Sequence, residues 1–134
     1  GIIRNAPLVD VMRRATLEER LKTWHEVIAV NLTSVFAVST SVADRMVAQR
    51  ATGGIVNIGA ISAAGNHGQS AYAAAKAGVH ALTATWAREL GPLGVRVNAI
   101  APGFADTPST HAALSETVDE LQDMIDDDGV KRMY

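Results

Sequence analysis

The sequence contains no cysteine, which excludes disulfides and thiolate chemistry and makes a reducing, cytoplasmic location the expectation. No basic cluster accompanies the net charge of −2, so neither nucleic acid nor an anionic membrane surface is an expected partner. No unbroken apolar run approaches the roughly 18 residues of a membrane span, and no signal peptide is visible. His25, His67, His80 and His111 show no metal-ligand spacing. They read as surface or loop residues without a metal, His67 falling in a loop where it would line a substrate entrance. There is no serine nucleophile elbow, zinc motif or internal repeat. Nor does G-x-x-x-G-x-G or G-x-G-x-x-G, the glycine turn that places a pyrophosphate on a helix N-terminus, occur in the 134 residues.

The apolar content of 48% and charged content of 19% are those of a globular chain, and the length fits a single domain spanning 1–134. Its centre is Gly53 to Lys76, GGIVNIGAISAAGNHGQSAYAAAK. Ile55-Val56-Asn57-Ile58 is short and β-branched, as a strand buried on both faces of a sheet would be. A Gly/Ser/Asn/His loop follows, then an Ala-rich helix starting near Gln69 or Ser70 and stopped at Leu90 by Gly91-Pro92. Tyr72 and Lys76, four apart, share a face of its first turns. An ammonium beside a phenol favours phenolate and would lower the tyrosine pKa, which makes the pair an acid/base candidate. The same spacing also occurs by chance in Ala-rich helices.

Upstream, Thr16 and Glu19 fit a capping box. From there Leu21, Trp24, Ile28, Asn31, Val35, Val38, Val42 and Met46 form one stripe on a helix running to about Arg50. Asn31 interrupts that stripe, and neighbouring backbone is the first place to seek its partners. Downstream, Val95 to Ala101 reads as a second buried strand ending in a Pro102-Gly103 turn. Strand, long helix, strand implies a parallel crossover, hence an α/β sheet. Ala73, Ala77, Gly78 and Ala81 give the second helix a small-residue face. Residues 108–134 read as polar and helical, with Leu114, Val118, Leu121 and Ile125 as a stripe and Asp126-Asp127-Asp128 as a solvated end.

Four motifs occur in order between about residues 24 and 107. They are Val30-Asn31-Leu32-Thr33-Ser34-Val35-Phe36, G-x-I-V-N-I from Gly53, G-N-x-G-Q-x-x-Y-A-A-A-K-A-G-V from Gly65, and Val95 to Phe104. Together they resemble the short-chain dehydrogenase/reductases, within them the 3-oxoacyl-(acyl-carrier-protein) reductase-like branch. The resemblance implies the C-terminal part of a Rossmann-type doubly wound parallel sheet with long flanking helices. It implies NAD or NADP as cofactor and hydride transfer to or from a small-molecule carbonyl or alcohol, with a 3-oxoacyl thioester as one candidate. Tyr72 would be the proton donor. Lys76 would lower its pKa and grip the cofactor ribose, and Asn31 would hold a water linking the lysine to solvent. Pro102, Gly103 and Thr107 would contact the nicotinamide end. Gly1 would be the last residue of an Asn-Asn-Ala-Gly motif near the cofactor, which would put the glycine turn upstream of this chain. The two long helices would pair with their copies in a homo-oligomer, a dimer or tetramer, although the small-residue face also suits packing on the chain's own sheet. The segment Val11 to Lys22 is several residues longer than is usual in the family.

One position departs from the pattern. The family's strand-end serine, which stabilises the reacting carbonyl, is matched by Ala60, flanked by Gly59. Ser62, two residues on, is the candidate stand-in. Two expectations result: an NAD(P)-dependent oxidoreductase, or an impaired fragment or pseudoenzyme that keeps its helices as an oligomerisation scaffold.

Overall fold

Thr16 starts the first helix as its spacing to Glu19 requires. The Thr16 backbone N–H donates to Glu19 Oε2 at 2.7 Å, and the Glu19 N–H donates to Thr16 Oγ1 at 3.2 Å. Two of the helix's unpaired N-terminal donors are thereby satisfied. In the computed structural model, which describes residues 1–6, 8–9, 15–103, 108, 111 and 115, this helix is not one unbroken α-helix to Arg50. It runs as α1 (Leu17–Ile28), a π-helical turn (Ala29–Thr33) and α2 (Ser34–Ala48). A π turn takes one extra residue and re-phases the side chains beyond it; such turns concentrate at functional sites. The single stripe expected of the sequence does not form a buried face, on either side of the turn. Val27, Asn31 and Ser39 are buried, whereas Leu21, Trp24, Val38 and Val42 are exposed.

Strand β1 (Gly53–Ile58) pairs in parallel with β2 (Val95–Ile100), in register from Gly53 opposite Val95 to Ile58 opposite Ile100. Between them α3 (Ser70–Leu90) makes the crossover that a parallel pair demands. Gly94, at a φ of 84°, turns the chain from α3 into β2; an L side chain there would be strained and would crowd Thr52. The core lies where α3 meets the sheet and α1: Val27, Ala71, Ala75, Val79, Val95 and Val97 are all buried. Asn57, buried on β1, donates to Thr83 Oγ1 of α3 at 2.8 Å, and Thr83 donates in turn to the Val79 carbonyl at 2.7 Å. This ties strand to helix through satisfied polar groups.

The expectation of strands buried on both faces is corrected. Val56, Ile58 and Ile100 are more than half exposed, because among the described residues helices cover one face of this sheet only. Helix Leu17–Ala48 also holds an 18-residue window of mean hydropathy 1.5, enough by length and composition to cross a membrane. Counting unbroken apolar runs misses it because Asn, Thr and Ser are spread through the window. Core helices of α/β proteins meet the same measure, and this one carries a buried amide bonded to backbone at Asn31. The chain divides into two compact units, Gly1–Gly103 and Phe104–Tyr134. The C-terminal stripe of Leu114, Val118, Leu121 and Ile125 lies outside the described residues, as do Val11 to Arg14.

Candidate active site

Parallel pairing brings the carboxyl ends of β1 and β2 to one level. The Gly59 N–H donates to the Ile100 carbonyl at 2.7 Å and the Ile61 N–H to the Pro102 carbonyl at 3.3 Å. Ala60 and Pro102 therefore lie on adjacent chain segments, beyond the strand ends where open α/β sheets bind their ligands. Helix α3 sets Tyr72 in its first turn, half-buried, and Lys76 one turn later, buried.

The Lys76 Nζ donates to the Ile58 carbonyl at 2.8 Å and stands 5.7 Å from the centre of the Tyr72 ring. That distance is within cation–π range. Burial raises the Tyr72 phenol above its ordinary value of 10.0 and lowers the Lys76 ammonium below 10.5. The lowered tyrosine pKa expected from the sequence is thus reversed. The ammonium is engaged with the Ile58 carbonyl and faces the ring, and desolvation is what acts on the phenol.

Asn31 sits in the π turn and is buried. Its Nδ2 donates to the Ile2 carbonyl at 2.8 Å and the Val27 carbonyl at 3.0 Å. Neighbouring backbone satisfies the amide nitrogen in this way, but the buried Oδ1 has no partner among the described residues. A Cβ at Gly1 would overlap that oxygen, so only glycine lets the N-terminal segment lie this close. Gly1, Asn31 and Lys76 line one groove of about 410 Å³, together with Ser39, Val42 and Ile58.

The remaining residues singled out in the sequence fall elsewhere. Ala60 is buried in extended backbone, and Ser62 is half-buried on the 3₁₀ turn Ile61–Ala64 that follows it. Pro102 enters through its carbonyl, and Gly103 is exposed. Neither Ser62, Pro102 nor Gly103 lines the groove with Asn31 and Lys76. Thr107 lies outside the described residues. His67 is exposed on its loop, as expected.

His80 corrects the sequence reading. It is not a surface residue: it is half-buried on α3, and its Nε2 is buried without a hydrogen-bond partner. The signal for it was present in the sequence, since His80 follows Lys76 by the same four residues that separate Lys76 from Tyr72. Among the described residues no cluster of metal-ligating side chains occurs.

Residues 1–118 match the short chain dehydrogenase family. The chain belongs to the short-chain dehydrogenase family. It is 47% identical over 103 residues to a human (3R)-3-hydroxyacyl-CoA dehydrogenase, across 76% of this chain and 40% of that protein. It is 46% identical over 111 residues to a 3-oxoacyl-[acyl-carrier-protein] reductase of Thermotoga maritima, across 82% of this chain and 42% of that one. Against these relatives the chain spans less than half their length. Among solved structures it resembles a gluconate 5-dehydrogenase from Burkholderia cenocepacia in complex with NADP and tartrate. There the TM-score is 0.72 at 29% identity, over 88% of this chain and 43% of that one. It also resembles a 4-hydroxyisoleucine dehydrogenase complexed with NADH and succinate, with TM-score 0.66 and 30% identity over 90% and 56% of the two chains. These neighbours are short-chain dehydrogenases with the Rossmann-type architecture, and the parallel β1–α3–β2 unit is the part of it described here.

Proposed function

We propose that this chain is the catalytic part of an NAD(P)-dependent oxidoreductase that interconverts a carbonyl and a hydroxyl, with a 3-oxoacyl thioester as substrate. The observation that carries the reading is the Tyr72–Lys76 pair standing beyond the carboxyl ends of two parallel strands, with Lys76 fixed by the Ile58 carbonyl. The substrate class rests on the relatives whose names specify 3-hydroxyacyl and 3-oxoacyl groups. The cofactor rests on the NADP and NADH complexes among the similar structures.

The residues fit a nicotinamide dinucleotide. Gly1, Asn31 and Lys76 line one groove, and the buried Asn31 Oδ1 there has no partner among the described residues, an open acceptor that supports a polar ligand at this place. Gly1, Tyr72, Lys76, Pro102 and Gly103 would hold it, and when bound it supplies or accepts the hydride. The protein's part is the proton. Burial keeps the Tyr72 phenol protonated well above neutral pH, the form that donates to a carbonyl oxygen as it gains charge. Lys76 holds its position through Ile58, and Asn31 ties the helix turn to Ile2.

The exposed Phe36 on α2, stacked at a tilt on Trp86 of α3, and the groove that Leu32, Phe36, Gly78 and Leu82 line support pairing of these helices with a second copy. A second reading, a catalytically impaired scaffold built on the same helices, is favoured by one observation: the strand-end residue is Ala60, whose methyl donates no hydrogen bond.

Following absorbance at 340 nm with NADPH or NADH and acetoacetyl-CoA separates the two readings. The oxidoreductase reading expects saturable oxidation of one nucleotide. No oxidation of either with the thioester, its acyl-carrier-protein form or a panel of simple ketones contradicts it, and leaves the scaffold.

A further inference from the structure

Gly59 and His80 occupy one another's space. A Cβ built at Gly59 would overlap the His80 Nε2 and sit 2.7 Å from its Cδ2, so the imidazole fills the volume of the side chain that residue 59 lacks. Gly59 is buried, and its N–H is already committed to the Ile100 carbonyl. The His80 Nε2 is buried and has no hydrogen-bond partner among the described residues. A buried polar atom without a partner requires an explanation, and an aliphatic residue would fill the same space without that cost. One residue before Gly59, the Ile58 carbonyl receives Lys76, one helical turn before His80. Two successive residues of the strand end are therefore met by two successive turns of α3, one through a hydrogen bond and one through a ring.

We propose that His80 is a positioning residue of the Tyr72–Lys76 site. Its imidazole, seated in the place of a side chain at residue 59, sets the spacing between the β1 end and α3, and so fixes the Ile58 carbonyl where Lys76 reaches it. A glycine at 59 offers no side chain of its own to hold that spacing. Beside the Tyr72 ring, the Ile58 carbonyl is the one hydrogen-bond acceptor of the Lys76 ammonium among the described residues, so a shift of the strand end re-aims it. The inference rests on the reading of Tyr72 and Lys76 as the proton-handling pair, but its test reads the phenol directly and does not depend on turnover.

The test is a spectrophotometric titration of Tyr72 at 295 nm in the whole chain, with the Tyr72→Phe variant subtracted to remove Tyr134, run beside thermal unfolding. His80→Ala should bring the Tyr72 midpoint measurably down towards 10, as the strand end loosens and water reaches the pair. His80→Gln, whose amide nitrogen reaches the position of Nε2, should keep the midpoint near that of the native chain. Gly59→Ala should lower Tm alone, but in the His80→Ala background it should cost far less, because the methyl then enters vacated space. A His80→Ala chain that is less stable yet titrates like the native one would reduce His80 to a space filler and overturn the proposal. So would Gly59→Ala and His80→Ala costs that simply add. If His80→Ala does not fold, Gly59→Ala decides: displacing the ring must move the Tyr72 midpoint, and an unmoved midpoint overturns the proposal.

Discussion

The Lys76 ammonium faces the Tyr72 ring at 5.7 Å and gives its hydrogen bond to the Ile58 carbonyl at 2.8 Å. The phenol is thereby left to the effect of burial, which raises its pKa, while the ammonium's is lowered. Both shifts have one cause, the cost of placing charge in a poorly solvated site.

The first prediction concerns alkaline titration. Without nucleotide, Tyr72 should ionise above 10, as read at 295 nm. A folded pKa raised above the unfolded value contributes stability that is complete below pH 10 and lost as pH climbs through the folded value. Lys76 acts in the opposite sense. Its folded pKa lies below 10.5, so its burial penalty is felt at lower pH and relieved as pH rises past the folded value. Tyr72→Phe should accordingly remove part of the alkaline loss of stability. A Tyr72 midpoint below 10 in the nucleotide-free chain would contradict this description of the site.

A second prediction concerns the strand–helix tie. Thr83→Val keeps the shape of the side chain but leaves the Asn57 amide buried and unpaired, which should cost about 1–3 kcal/mol. Denaturant unfolding measures it. Asn57→Leu combined with Thr83→Val should recover part of that loss, since removing both partners spares the desolvation penalty. A Thr83→Val chain as stable as the native one would show that the bond carries no weight.

The third prediction addresses Ala60. Replacing its methyl with a hydroxymethyl, Ala60→Ser, adds one oxygen at the strand end, beside the turn that carries Ser62. A donor there should act mainly on kcat, because its hydrogen bond strengthens as charge develops on the carbonyl oxygen. A rise of about 10-fold is expected, below the ~10²–10³ typical of one such donor, because Ser62 supplies part of the effect. If Ser62 is the working donor, Ser62→Ala should lower kcat strongly in the native background and matter little beside Ala60→Ser. If kcat is unchanged by Ala60→Ser and by Ser62→Ala alike, the strand-end hydroxyl has no part in the reaction.

What could be read from the sequence was local. The Thr16–Glu19 box and the start of α3 at Ser70 rest on spacing within a few residues, and the parallel β1–α3–β2 order on the succession of strand, long helix and strand. The Tyr72–Lys76 pair was legible through its short spacing too. What escaped depends on partners distant in the chain. The π turn at Asn31 answers to the Ile2 carbonyl, 29 residues away. The direction of Lys76 answers to Ile58, and the burial of His80 answers to the missing side chain at Gly59. The sign of the Tyr72 shift was misjudged because adjacency on a helix face fixes which groups are near, not which atom the charge faces. The double-sided burial expected of β1 failed similarly, since an apolar run says that a strand can be covered, not that both faces are.

The central claim is that Tyr72 delivers the proton, and Tyr72→Phe tests it most directly. In the protein carrying this chain, reduction of acetoacetyl-CoA should fall by about 10²–10⁴-fold on losing the phenolic hydroxyl, the range for a positioned acid, while NADPH binding followed by fluorescence stays within a few-fold of native. A Tyr72→Phe protein that reduces the thioester at the native rate would contradict the account.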